Sequence, residues 1–374
     1  VRAVVVEQYG QAPVVREVAD PEPPPGGVVV RVHATGLCRS DWHAWAGHDD
    51  GVTLPLVPGH ELAGTVVAVA PDVRRWRVGA RVTTPFVCGC GRCAWCTSGQ
   101  AQVCPDQTQP GFTHDGSFAE LVALRAADTN LVAVPDAVGD AAAASLGCRF
   151  ATAYRALSAR ADLRPGEWVT VVGAGGVGLS AVMIAVARGA RVVAVDRSPA
   201  ALDLARRLGA EHTVLAADRA DTADPAGTPA GRPAGHDVGP GPSRVAEEVH
   251  DLTGGGSHVA LDAVGSAATC ADAIHSLRRR GRHVQVGLLP AVDGHPPVPM
   301  DRVVAWEIDV LGSHGMAAAD YPALLAEVER GALRPQDLLE RVVDLDEGAR
   351  LLPGVATASP AGITVIDPRL PARG

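Results

Sequence analysis

The chain has 374 residues, 47% of them hydrophobic and 20% charged, enough for two domains that each bury a core. A formal net charge of −9 argues against nucleic acid or an anionic membrane as the main partner. No apolar run reaches the roughly 18–20 residues that a membrane-spanning helix needs.

All 33 basic residues are arginine, which reads as codon bias rather than function. Nothing in the first residues reads as a secretory signal, so the eight cysteines are expected to be reduced, cytoplasmic and partly metal-bound.

Val1–Val6 and Val28–Val32 are β-branched, strand-like runs separated by Pro21, Pro23, Pro24 and Pro25. Thr65–Val69 and Ala80–Thr84 continue the pattern, which predicts a small β-rich domain. Inside it lie GLCRSDWHAWAGHD (36–49) and PGHELAG (58–64). Cys38 and His60 are candidate metal ligands there, with Asp41 and Glu61 beside them. Each alone also reads as a buried thiol or a core histidine. Together they make a site only if a third soft ligand arrives from elsewhere, and Cys148, in SLGCRFATAY, is the candidate. Three ligands leave one tetrahedral position open, as a catalytic zinc requires. Asp41 is a natural acceptor for the second ring nitrogen of His60.

Cys90, Cys93, Cys96 and Cys104 stand in a C-x2-C-x2-C-x7-C array among Gly89, Gly91 and Gly99. Four thiolates so close together suit a closed tetrahedral Zn2+ site, with an iron–sulfur cluster as the rival. Such a site is coordinatively full, so it is expected to fold a lobe and not to catalyse. Cys88 is left as a spare thiol next to it.

From Glu167 the pattern becomes α/β. Glu167–Val172 predicts a buried strand, GAGGVG (173–178) opens a helix over Leu179–Arg188, and Arg191–Val195 predicts a strand ending at Asp196. This is G-x-G-x-x-G in its strand–turn–helix setting, with an acid about 20 residues on. Gly173 supplies the tight turn, Gly175 the close approach of a pyrophosphate and Gly178 helix–strand packing, with Gly176 and Val177 opening the helix. Asp196 is expected to hold the adenosine ribose and favour NAD over NADP, a preference that Arg197 would soften.

Residues 216–243 are rich in Ala, Pro, Gly and Asp without periodicity and predict a mobile insertion. Val259–Asp262 and His283–Val286 predict strands with a helix between them, Val303–Leu311 a last strand, and Pro322–Arg330 an amphipathic helix. The terminal ITVI (363–366) is expected to pair back into the first domain.

CRSD (38–41), GHE (59–61), the Cys90 lobe and GAGGVG, in that order, resemble the zinc-containing medium-chain alcohol dehydrogenases of the medium-chain dehydrogenase/reductase superfamily. The likeness covers the chain apart from 216–243. It implies a GroES-like catalytic domain (1–149, with the lobe at 88–104), a Rossmann doubly wound parallel-sheet domain (150–315), and a return to the catalytic domain (316–374).

It further implies two Zn2+ per chain. One would be held by Cys38, His60 and Cys148, the other by Cys90, Cys93, Cys96 and Cys104. Ser40 matches the hydroxyl that takes the substrate proton, His43 the histidine that passes it to solvent, and Arg39 a pyrophosphate-binding cation. Glu61 matches the acid behind the zinc, and Phe86 and Leu288 match pocket positions, with Trp42 and Trp45 as further candidate walls. Ser40 as a helix cap, His43 as a surface histidine and the tryptophans as packing residues are the plainer readings.

The implied function is NAD-linked oxidation of a small-molecule alcohol in a homodimer or homotetramer. Aldehyde, formaldehyde or polyol dehydrogenases on the same scaffold are alternatives, as is a non-catalytic NAD- or zinc-binding protein.

Overall fold

The N-terminal valine run becomes β1 (Arg2–Val5), antiparallel to β2 (Val14–Glu17). A computed structural model describes residues 1–216, 243–289, 298–355 and 362–372. The chain divides into two units, Val1–Arg155 with His314–Gly374, and Ala156–Ser313.

In the first unit β3 (Val28–Leu37) is the organising strand. β4 (Leu62–Val69) and β6 (Leu121–Leu124) both pair with it antiparallel. β5 (Arg81–Thr83) then pairs with β4, and β7 (Val132–Ala133) with β5. Alternation along β3 sends Val28, Val30 and Val32 into one core with Leu62, Val66, Val82, Val122 and Leu124. At roughly 1.5–3 kcal/mol per fully buried aliphatic side chain, this cluster is a main source of the unit's stability.

The second unit is a six-stranded sheet of β8 (Trp168–Val172), β9 (Arg191–Asp196), β10 (His212–Leu215), β11 (Ser257–Asp262), β12 (Leu277–Gln285) and β13 (Asp309–Gly312). All its pairings are parallel and the order is β10-β9-β8-β11-β12-β13. That is the 3-2-1-4-5-6 order of a doubly wound dinucleotide fold, whose switch point falls between β8 and β11.

The chain then returns to the first unit through β14 (Leu339–Val343) and β15 (Ile363–Ile366). β15 is parallel to β14 and antiparallel to β3, with Thr364 opposite Leu37 and Ile366 opposite Thr35. The C-terminal strand thus buttresses the segment of β3 that runs into Cys38.

One expectation is corrected. Val303–Leu311 is not one strand: Met300–Trp306 is a helix, ended by Glu307 in the left-handed region, and only Asp309–Gly312 is extended. Two adjacent valines suggested β structure, but Val303 and Trp306, one helical turn apart, pack on the sheet's core. The predicted 216–243 insertion lies, from 217 to 242, outside the described residues.

Candidate active site and metal centres

β3 ends at Leu37 and the helix Arg39–Ala46 starts at once, with Cys38 as its N-cap in extended conformation. Asp41, three residues on, is fully buried and reaches back to accept from the Cys38 backbone N–H at 2.9 Å. Its other oxygen accepts from His60 Nδ1 at 2.9 Å and from the Gly59 N–H at 3.1 Å. One carboxylate therefore fixes Cys38, the helix start and the His60 ring.

Gly59 has φ +102°, and a Cβ there would fall 2.4 Å from the Phe118 ring, so the turn before His60 demands glycine. The His60 ring lies edge-on to Phe86 and Phe112, with centroids 6.1 and 5.3 Å away.

Cys148 comes from the helix that starts at Asp140. At Leu146–Phe150 this helix widens into a π-helical turn, a feature that often re-aims side chains at functional positions. The Phe86 N–H donates to Gly147 O at 2.9 Å and ties that turn to the segment after β5.

The sulfurs of Cys38 and Cys148, an imidazole nitrogen of His60 and a carboxylate oxygen of Glu61 all lie within 4.8 Å of one another. With Nδ1 given to Asp41, His60 Nε2 is buried without any hydrogen-bond partner. A buried ring nitrogen facing two sulfurs is costly unless an electrophile takes its lone pair. The Cys148 hydrogen bond draws the Cys38 thiol well below its ordinary pKa and pushes Cys148 well above. Both sulfurs ionise together only beside a cation. The donor set fits Zn2+.

Glu61 is fully buried, and its partner, Arg149, went unpredicted from sequence. The Arg149 backbone N–H and Nε donate to Oε1 at 2.9 and 3.0 Å, Nη2 donates to Oε2, and Nη1 donates to Leu37 O at 3.1 Å. Burial holds the Glu61 carboxyl above its ordinary pKa, and the guanidinium on both oxygens offsets only part of that rise. Three donors on two oxygens favour the ionised pair. Removing either member alone costs about 3–5 kcal/mol.

The Cys90 lobe is compact. Cys93 caps the turn Ala94–Thr97 by accepting from the Cys96 N–H at 3.5 Å. Sulfur–sulfur separations are 3.5 Å (Cys93–Cys96), 3.7 Å (Cys93–Cys104) and 4.0 Å (Cys90–Cys96). A tetrahedron with zinc–sulfur bonds of about 2.3 Å has edges of about 3.8 Å. Desolvation pushes the Cys96 thiol up to about 12, so four thiolates here also need a cation. We expect Cys93→Ser to lower bound zinc by about one equivalent and to open residues 88–104 to protease. Metal analysis with limited proteolysis checks this, and unchanged zinc would refute it. Cys88 stands apart as a buried thiol raised to about 11 by desolvation, 3.6 Å from Thr84 Oγ1.

The other anticipated residues are spread more widely. Ser40 Oγ is 3.8 Å from Cys38 Sγ. His43 Nδ1 is 3.2 Å from His48 Nδ1, and the Trp42 ring meets both imidazoles edge-on. Phe86 also meets the ring of His314, 5.4 Å away, which the sequence left unassigned, as it did Phe112. Arg39 is exposed. Trp45 donates to Gln11 O at 2.6 Å and, like Trp42, packs on the β1 core, the fate that packing alone predicts. Leu288, in the second unit, is 78% exposed.

In that unit Gly173 has φ +93°. A Cβ on Gly175 would meet nothing within 4 Å, whereas one on Gly178 would lie 1.7 Å from Gly173 O. The helix Gly176–Ala187 starts at this turn with Val177 in its first turn. Asp196 ends β9 and accepts from the Ala174 N–H at 2.6 Å and the Ser198 N–H at 2.8 Å, with Arg197 exposed between. Open space at the second glycine, next to a helix start and an acid, fits a dinucleotide.

A doubly wound sheet with this glycine turn and a separate Cys/His donor group define a dinucleotide-dependent, metal-containing oxidoreductase. Residues 24–136 match the family described as "Alcohol dehydrogenase GroES-like domain", and residues 176–330 match "Zinc-binding dehydrogenase". An alcohol dehydrogenase of Geobacillus stearothermophilus is 36% identical over 83% of this chain and 84% of its own. Among solved structures, the alcohol dehydrogenase of the archaeon Aeropyrum pernix aligns with a TM-score of 0.82 at 28% identity, covering 98% of this chain and 100% of that one. A structure described as an NAD-dependent alcohol dehydrogenase aligns at 0.81 with 28% identity, covering 98% and 99%. The chain belongs to the zinc-containing medium-chain alcohol dehydrogenase family.

Proposed function

We propose that the protein oxidises an alcohol to the aldehyde or ketone with NAD+, with Cys38, His60 and Cys148 holding a catalytic zinc. The observation that carries this reading is the partnerless buried His60 Nε2 among two sulfurs. Zn2+, when held there, supplies Lewis acidity toward the alcohol oxygen, and NAD+ supplies the hydride acceptor.

The chain's own residues orient and move protons. Asp41 fixes the ring tautomer of His60 through Nδ1, leaving Nε2 as the donor atom. Ser40, whose Oγ lies 3.8 Å from Cys38 Sγ, would accept the substrate's hydroxyl proton while giving up its own, and His43 would hand a proton on to solvent. Burial, with Arg39 and His48, holds His43 below the ordinary imidazole pKa, so near neutral pH it is uncharged and ready to accept. Phe86 forms part of the wall next to His60.

For the cofactor, Gly173, Gly175, Gly176, Val177 and Gly178 would cradle the pyrophosphate and Asp196 would hold the ribose, with Arg39 and Arg197 as the candidate cations for the phosphates. The cysteine lobe carries the second, structural zinc. Residues 1–149 and 316–374 act as the catalytic domain and 150–315 as the nucleotide domain. Cytoplasmic location and a dimeric or tetrameric assembly complete the proposal. Among the described residues no helix is long and apolar enough to cross a membrane.

The test pairs metal analysis with NAD+ and NADP+ reduction on primary, secondary and aromatic alcohols. We expect about two zinc per chain and turnover with NAD+, and Asp196→Ala should raise the NADP+ to NAD+ activity ratio about tenfold or more. Zinc at both sites without turnover on any alcohol would refute the reading.

A further inference from the structure

We propose that Arg149 is a positioning residue that holds the Glu61 carboxylate off the Cys38–His60–Cys148 group and so keeps that group a three-ligand, open set. The inference rests on the metal-ligand reading above. Four donor atoms, not three, lie within 4.8 Å of one another, and carboxylate oxygen is an ordinary zinc ligand. Taken together, Cys38, His60, Glu61 and Cys148 would make a closed tetrahedral site of the kind that cannot bind substrate.

What separates Glu61 from the other three is hydrogen bonding. Arg149 donates to both carboxylate oxygens, and Nη1 is pinned on Leu37 O, so the guanidinium is fixed at both ends. The pair sits over a glycine. A Cβ on Gly36 would fall 2.1 Å from Glu61 Oε2 and 2.6 Å from Arg149 Nη2, so β3 leaves room for this ion pair and nothing larger. Arg149 follows Cys148 directly on the same π-helical turn, so one backbone feature delivers both a ligand and the group that restrains its competitor. Charge points the same way. Two thiolates balance a divalent ion, and a third anionic ligand would leave the centre negative, whereas pairing with Arg149 keeps the carboxylate neutralised outside it.

The test uses protein loaded with Co2+, whose visible bands report coordination, with imidazole as the external ligand. The bands of this centre are those lost in Cys148→Ala. In the unaltered protein imidazole should shift them. In Arg149→Met, where Glu61 is free to close the site, the half-saturating imidazole concentration should rise about tenfold or more. Arg149→Met combined with Glu61→Gln should return it close to the starting value, which a merely structural role for Arg149 would not do. Arg149→Lys keeps the buried charge without the fork, and should move the response in the same direction by less, providing the readout if Arg149→Met fails to fold.

An imidazole response unchanged in the folded Arg149 variants, or a double variant that stays closed, overturns the proposal alone. Identical spectra for the unaltered protein and Cys148→Ala overturn the ligand reading and this inference with it.

Discussion

Cys148→Ser is expected to cut dehydrogenase turnover by more than about 100-fold, beyond what loss of a supporting partner costs a metal site. Bound zinc should fall from about two equivalents to about one, because the lobe's four thiols are untouched. A hydroxyl is a poor replacement for a soft thiolate, and it leaves only Cys38 and His60, with Glu61 already taken by Arg149. The fold should survive, since the π-helical turn is held by the Arg149 backbone N–H on Glu61 and by the Phe86 N–H on Gly147, neither of which involves the sulfur. Metal content, steady-state kinetics and a thermal melt on one preparation check all three. Full activity with one zinc equivalent missing would refute the assigned role.

The second large effect separates two glycines three residues apart. Gly178→Ala should destabilise the protein by about 3 kcal/mol or more, because the new Cβ would sit 1.7 Å from a backbone oxygen that has no freedom to retreat. Gly175→Ala should leave the melting temperature unchanged, because that Cβ meets no protein atom within 4 Å. If the turn holds the pyrophosphate as proposed, the methyl would take up space the phosphates need, so NADH binding should weaken, by about tenfold on a loss of roughly 1.4 kcal/mol. Thermal unfolding and NADH fluorescence titration read the two effects separately. A Gly175→Ala variant with unaltered NADH affinity would remove the phosphate role from that turn.

Much of this molecule was legible in the sequence wherever a feature depends on neighbours along the chain. The cysteine lobe spans 15 residues, and its caps and glycines are local, so spacing alone indicated a compact four-sulfur group. The glycine turn likewise carries its own conformational reason at each position, and the period change at Glu167 announced an α/β alternation, which the family resemblance extended to a parallel sheet. Cys38 and Asp41 lie one helical turn apart, and Gly59 and His60 together present the donors that Asp41 accepts. That much is written in CRSD and GHE.

Tertiary structure decided what no local pattern encodes. Glu61 and Arg149 meet across 88 positions because β3, its partner β15 and a π-helical turn bring them over Gly36. No periodicity in the sequence marks an arginine for burial, since burial of a charge is worthwhile only once its counter-charge is in place. Phe112 and His314 joined the surroundings of His60 and Phe86 in the same way. The stretch at 300–306 became helix because Val303 and Trp306 find the sheet's core one turn apart, overriding the β preference of paired valines. The sequence by itself determined the donor types and the order of the units. Packing determined which donors converge and which one is held back, because convergence depends on distances through space that are unrelated to distance along the chain.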